Sequence, residues 1–278
     1  MKRILAAMDA LHFREEELDY FYKVSQQLDG ELTVLFLRDN TGFAIPASNP
    51  TAETDVEFVE QMIQKKMSQQ QEAYIEKCKE FIDACNRKNY KVTLQEVHEW
   101  STETIVYESM FADLLLVNYY TTQVPLHEKG ISGFIEDVLI NASCPVIITP
   151  DEYKPIDEIV FTYNGTKSSM FAIKRWTQIF QNLDEIPIRV IYVEENNSKE
   201  VPGKSFLDKY LSVHFKNVSY MKLEGEPSNA IYSFLAHKVN CMVTFGAFGR
   251  SRLSRFFRKS QSEKVIKMLN IPIFVTHP

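Results

Sequence analysis

The chain has little of what marks membrane, secreted or metal-dependent proteins. No apolar run approaches the ~18 to 20 residues that a membrane span needs, and the apolar stretch after Met1-Lys2-Arg3 stops at Asp9, too soon for a signal peptide. The four cysteines, Cys78, Cys85, Cys144 and Cys241, show no CxxC spacing and no small-secreted-domain density. They are expected to be reduced, mostly buried thiols in a cytoplasmic protein. The six histidines form no HExxH and no paired ligand spacing, so no metal is expected. His127-Glu128 beside Lys129 is the most exposed-looking candidate for chemistry, and a structural role fits it as well. There is no GxSxG nucleophile elbow, since Gly130-Ile131-Ser132-Gly133 has the wrong spacing. There is no Walker A sequence either: Asn164-Gly165-Thr166-Lys167-Ser168 lacks the upstream glycine.

What is present is an ordinary globular composition, 45% hydrophobic and 24% charged. A length of 278 residues suits two units of roughly 140. The net charge of −6 hides a contrast. Residues 1–150 carry 13 Lys and Arg against 24 Asp and Glu, a balance of −11; residues 151–278 carry 18 against 13, a balance of +5. A small anionic ligand would favour the second half. The same asymmetry also fits two halves of one protein attracting each other.

The chain repeats itself. Arg3 to Met8 is an apolar run ending in Asp9 and followed by a helical pattern through Leu28; Glu158 to Tyr163 ends in Asn164 and is followed by a helical pattern through Leu183. Asp9 and Asn164 lie 155 residues apart, as do Leu28 and Leu183. Matching strands follow at 32–37 and 188–193, then buried runs at 114–117 and 241–245, then Pro-led strands at 144–148 and 271–275. Two copies of one domain, 1–150 and 151–278, explain this order. The junction Thr149-Pro150-Asp151-Glu152-Tyr153-Lys154-Pro155 has the two prolines of a short, stiff linker.

Within a copy, strands and helices alternate. In the second half, strands are expected near 158–163, 188–193, 217–223, 241–245 and 272–276, with helices near 167–182, 203–215, 227–238 and 259–269. The strands are continuous apolar runs rich in Val, Ile and Phe, as needed where helices cover both faces. The fold class is therefore α/β, a five-stranded parallel sheet per half. The first half adds a long amphipathic helix over about 53–88, with Thr51 and Thr54 as candidate N-caps.

In open parallel sheets, ligands sit outside the carboxyl ends of strands where the winding reverses. The loops to inspect therefore follow strands one and four. In the second half these are 164–168 and Gly246-Ala247-Phe248-Gly249-Arg250-Ser251, where glycines let backbone amides approach an anion. Arg250, Arg252, Arg255, Arg258 and Lys259 add charge, and Ser260 begins the final helix, where it could cap that helix or touch a phosphate. Gly246 and Gly249 alone also fit a simple turn with solvated arginines. The equivalent first-half loop, Asn118-Tyr119-Tyr120-Thr121, keeps no glycine and cannot form the same cradle. Phe256 and Phe257 interleave the arginines, but one short basic run in an acidic chain is thin support for nucleic-acid binding.

The stretch from Cys241 through Gly246, Gly249 and Arg250 to Pro272 and Val275 resembles the C-terminal signature of universal stress proteins. Both first strands with their helices, and Asp113 to Val117 with Cys144-Pro145-Val146, resemble the same family. The resemblance covers nearly the whole chain and implies a tandem member, each half Rossmann-like and related to the adenine nucleotide alpha-hydrolases. Some members bind ATP or AMP through G-2x-G-9x-G-(S/T), with an Asp ending strand one and a Val ending strand two at the adenosine; others bind no nucleotide. Gly246, Gly249, Ser260 and Val193 match; Lys259 replaces the third glycine and Asn164 replaces the Asp. In the first half Asp9 and Leu37 survive, while Asn118, Thr121 and Ser132-Gly133 break the motif.

The resemblance implies a non-catalytic stress-response or signalling factor. ATP or AMP would be held in the second half by Asn164, Val193, Gly246, Gly249, Arg250, Lys259 and Ser260, and the halves would pair intramolecularly through 145–149 and 272–276. Protein partners are not readable. The alternatives are a weak ATPase or nucleotide hydrolase, for which no candidate base stands beside the loop, and a nucleotide-free interaction protein.

Overall fold

The first strand shows why both faces of the sheet are covered. In β1 (Lys2–Asp9), Ile4, Ala6 and Met8 enter one core while Leu5 and Ala7 enter the other, so an unbroken apolar run satisfies two layers at once. The computed structural model describes residues 1–37, 53–97, 102–119, 121, 133–181, 183, 185–194, 201–246, 269–276 and 278. After β1 come α1 (Glu15–Gln27), β2 (Gly30–Leu37), α2 (Glu53–Lys88), β3 (Val92–Val97), α3 (Thr102–Ser109), β4 (Leu114–Asn118), α4 (Gly133–Asn141) and β5 (Val146–Thr149). The second half runs β6 (Glu158–Thr162), α5 (Lys167–Ile179), β7 (Ile188–Val193), α6 (Lys204–His214), β8 (Val218–Leu223), α7 (Pro227–Leu235), β9 (Cys241–Gly246) and β10 (Ile273–Thr276).

The elements fall where the hydrophobic pattern expects them. Helix α2 spans 53–88 and buries Tyr74, Phe81, Ala84 and Cys85 along one stripe. Three second-half helices stop early, α5 at Ile179, α6 at His214 and α7 at Leu235. The expected helix at 259–269 and the candidate cap Thr51 lie outside the described residues, apart from Leu269. Strand β6 ends at Thr162, two residues short of Asn164, because that side chain turns the chain. No described helix is long and apolar enough to cross a membrane.

The ten described strands form one sheet, ordered β3-β2-β1-β4-β5-β10-β9-β6-β7-β8. The order β3-β2-β1-β4-β5 recurs, mirrored, as β10-β9-β6-β7-β8. Within each half every described pairing is parallel. The halves meet through β5 and β10, which pair antiparallel: Val146 faces Val275, Ile147 faces Phe274 and Ile148 faces Ile273. The carboxyl ends of the first-half strands therefore lie at one end of the sheet and those of the second half at the opposite end.

Two cores flank this sheet, one on each face. In the second half Trp176 is fully buried, stacked on Phe180 at 4.9 Å and edge-on to Phe161 at 5.5 Å. Phe180 in turn meets the seam residue Phe274 at 6.2 Å. Phe274→Ala should lower stability by about 3–5 kcal/mol through lost burial and the cavity left behind, measured by denaturant unfolding. A loss below ~1 kcal/mol would show that the seam contributes little to holding the sheet together.

Candidate functional site

The winding reverses between β6 and β9 in the second half and between β1 and β4 in the first, so each half has a crevice at the carboxyl ends of those strands. The two crevices are built by the same local device. Asp9 Oδ1 accepts from the Leu11 amide at 2.9 Å and the His12 amide at 3.3 Å. Asn164 Oδ1 accepts from the Thr166 amide at 3.2 Å and the Thr166 hydroxyl at 2.8 Å. Each is a side chain closing a turn onto the backbone two residues ahead, which swings the chain into the following helix. Asn in place of Asp keeps that turn intact. Gly165 follows with φ +79°, and a Cβ there would come within 2.6 Å of Pro202, so loop and neighbour fit only because the side chain is absent. Thr166 then caps α5, its hydroxyl accepting from the Ser169 amide at 3.3 Å.

In the second half the structure brings Asn164, Val193 and Gly246 to the carboxyl ends of three adjacent strands, β6, β7 and β9. Val193 is buried and Asn164 half-buried. Gly246 has its own steric reason: a Cβ would lie 2.4 Å from the Ser168 carbonyl oxygen and 2.8 Å from the Ser169 amide nitrogen. The first glycine of the loop is thus required by the first turn of α5, whatever the loop binds. Gly249, Arg250, Lys259 and Ser260 lie outside the described residues, as does the His127-Glu128-Lys129 group.

The first-half crevice is different. By ladder register Asn118 is the counterpart of Gly246: each pairs with the last residue of the neighbouring seam strand, Asn118 with Thr149 and Gly246 with Thr276. Where Gly246 admits the helix, Asn118 presents a side chain. Its Oδ1 accepts from Arg14 Nη2 at 3.2 Å, and its Nδ2 lies 3.4 Å from both the Pro150 carbonyl and Asp151 Oδ1. Arg14, the N-cap residue of α1, also bonds Asp151 at 2.6 Å. Arg14 therefore spans the crevice and ties α1 to the linker. Asp9 is buried, with the exposed His12 ring on its Oδ2 at 2.8 Å. Burial raises the Asp9 carboxyl above its ordinary range even though His12 opposes the shift. Tyr119 is buried beside Ile148 and Ile271 at a cavity of about 290 Å³ between the halves. Tyr120 lies outside the described residues.

The sequence reading missed Glu17. It is 5% exposed, its Oε1 has no hydrogen-bond partner among the described residues, and Oε2 lies 3.8 Å from Arg14. Burial pushes its carboxyl up to about 8; Arg14 pulls the other way, and Asp9 and Asp151 add to the rise. A signal was available: Glu17 falls on the buried stripe of α1 with Leu18, Phe21 and Val24, where a charged residue is out of place.

Two outcomes follow from these environments. Gly246→Ala should destabilise by about 1–3 kcal/mol through overpacking against the first turn of α5, seen as a lower melting temperature without added ligand. An unchanged melting temperature would remove the steric account. Glu17 holds its proton in the folded chain from its ordinary value of 4.5 up to about 8, so its contribution to stability is full below 4.5 and is lost as pH rises to 8. Glu17→Gln should therefore match the parent near pH 4 and exceed it by a few kcal/mol at pH 9, read from unfolding curves at both pH values. A constant difference across that range would contradict the burial of the carboxyl.

No protein-family model matches the chain. A universal stress protein of Synechocystis sp. is 19% identical over 288 residues, spanning 98% of this chain and 99% of that one. Among solved structures, a universal stress protein from Archaeoglobus fulgidus matches with a TM-score of 0.60 at 15% identity, covering 99% of this chain and 96% of that one. A functionally unknown protein from Pseudomonas aeruginosa matches with a TM-score of 0.54 at 14% identity, covering 100% and 93%. The chain resembles universal stress proteins along nearly its whole length and carries their Rossmann-like α/β fold twice in tandem.

Proposed function

We propose that the chain is a non-catalytic stress-response or signalling factor whose second half, residues 151–278, binds ATP or AMP. The observation that carries this reading is the convergence of Asn164, Val193 and Gly246 on the crevice between β6 and β9, beside the capped start of α5. Amides at a helix start offer an anion partial positive charge, and residues 151–278 carry the chain's excess of basic residues. In this reading Gly249 and Arg250 continue the phosphate-facing loop, and Lys259 and Ser260 complete it. The first half, residues 1–150, takes no nucleotide, because Arg14, Asn118 and Asp151 occupy the corresponding crevice with bonds to one another. A bound nucleotide would act by shifting the population of conformations that partners recognise.

Calorimetric titration of nucleotide-stripped protein with ATP and AMP, with and without Mg²⁺, tests the proposal. The expected result is saturable binding at one site per chain, abolished by Gly249→Val while the far-ultraviolet circular dichroism is unchanged. Absence of heat and of thermal shift at millimolar nucleotide would overturn nucleotide binding and leave an interaction protein with two closed crevices. Mg²⁺-dependent phosphate release lost in the same variant would overturn the non-catalytic assignment.

A further inference from the structure

The linker between the halves is fastened to the first half by side chains, and the fastening runs through a buried acid. Asp151 is held by Arg14 at 2.6 Å. Two residues on, the Tyr153 ring sits edge-on to Tyr20 at 5.3 Å, Lys23 lies 4.8 Å over its face and Gln27 donates to its hydroxyl at 2.5 Å. Ile156 then packs against the core on that face before β6 begins. The side chains that meet Asp151 and Tyr153 here are on α1 or at its N-cap, and Asn118 of β4 adds a longer contact to Asp151 at 3.4 Å. At the head of that helix, the Arg14 guanidinium has two carboxylates within reach: Asp151 in direct contact, and Glu17, one turn along, at 3.8 Å.

We propose that Arg14 is a pH-gated latch: it holds the linker through Asp151 while Glu17 is neutral, and turns to Glu17 when that carboxyl becomes charged. The charged groups facing Glu17 define the choice. From β1 comes Asp9 with His12 on it, from the linker Asp151, and from its own helix head Arg14. Lys88 and Arg87 of α2 are engaged by Glu15 and Asp19 instead. A buried carboxylate left unpaired beside two other acids is strongly unfavourable, and among the described residues Arg14 is the cation that acts on Glu17. Direct contact between Glu17 and Arg14 requires the guanidinium to close the remaining gap, which draws it off Asp151. The shorter of the two contacts that hold Asp151 is then lost, and Asp151 is left with Asn118 at 3.4 Å. The raised proton affinity of Glu17 places this exchange on the alkaline side of neutrality. The latch does not depend on nucleotide binding in the second half.

The δ1-methyl of Ile156 reports the linker without itself titrating. In protein carrying ¹³C-methyl isoleucine, assigned through Ile156→Val, this signal should move between two positions with a midpoint near pH 8. Glu17→Gln should hold it at the low-pH position through pH 9.5, and Asp151→Asn should hold it at the high-pH position throughout. A signal that does not move in the parent chain, or that moves with the same midpoint in Glu17→Gln, overturns the latch. Should Glu17→Gln fail to fold, the carboxyl carbon of Glu17 can be titrated in the parent chain. Coincident midpoints for that carbon and the Ile156 methyl support the latch, and midpoints more than one pH unit apart overturn it.

Discussion

Three facing pairs of residues, Val146 with Val275, Ile147 with Phe274 and Ile148 with Ile273, set the geometry of everything else. Each half alone would end in an open strand of apolar residues, a hazard for aggregation. Pairing β5 with β10 removes both edges and leaves β3 and β8 as the outer strands. Because that one pairing is antiparallel, the second half runs opposite to the first. The end of β5 and the start of β6 then lie at the same end of the sheet, three strand positions apart, roughly 14 Å at the usual spacing. Eight residues, 150–157, cross that distance without traversing the sheet.

The same geometry separates the fates of the two crevices. The linker leaves at the carboxyl end of the first half, which is where β1 and β4 open their crevice. Asp151 is thereby delivered to Arg14 and Asn118, and the three bond to one another at that mouth. The second crevice opens at the other end of the sheet, where the linker does not pass. A duplicated domain joined in this way is not symmetric even where its sequence repeats, since only one copy has the connection lying over its mouth.

Much of this was legible in the sequence. The 155-residue spacing of Asp9 and Asn164, the continuous apolar strands and the long amphipathic α2 fix the tandem α/β layout, because they are local patterns tied to helix and strand periods. The convergence of Asn164, Val193 and Gly246 also follows once strand order is inferred from the winding rule. Three things did not show. Arg14 and Asp151 are 137 residues apart, and no spacing rule brings them together. Gly246 reads as part of a ligand loop, whereas its lack of a side chain is already demanded by the Ser168 carbonyl. Glu17 stands in plain view on an apolar stripe, but acids at a helix start are common for their interaction with the helix dipole, so its position alone does not signal burial.

The turns that follow β1 and β6 carry one more implication. Each is closed by a single side-chain oxygen, from a carboxylate at Asp9 and from an amide at Asn164. The same turn is closed by either group. An exchange of acid for amide thus leaves the turn in place, and the electrical character of each crevice mouth can change through a single substitution while the backbone path is kept.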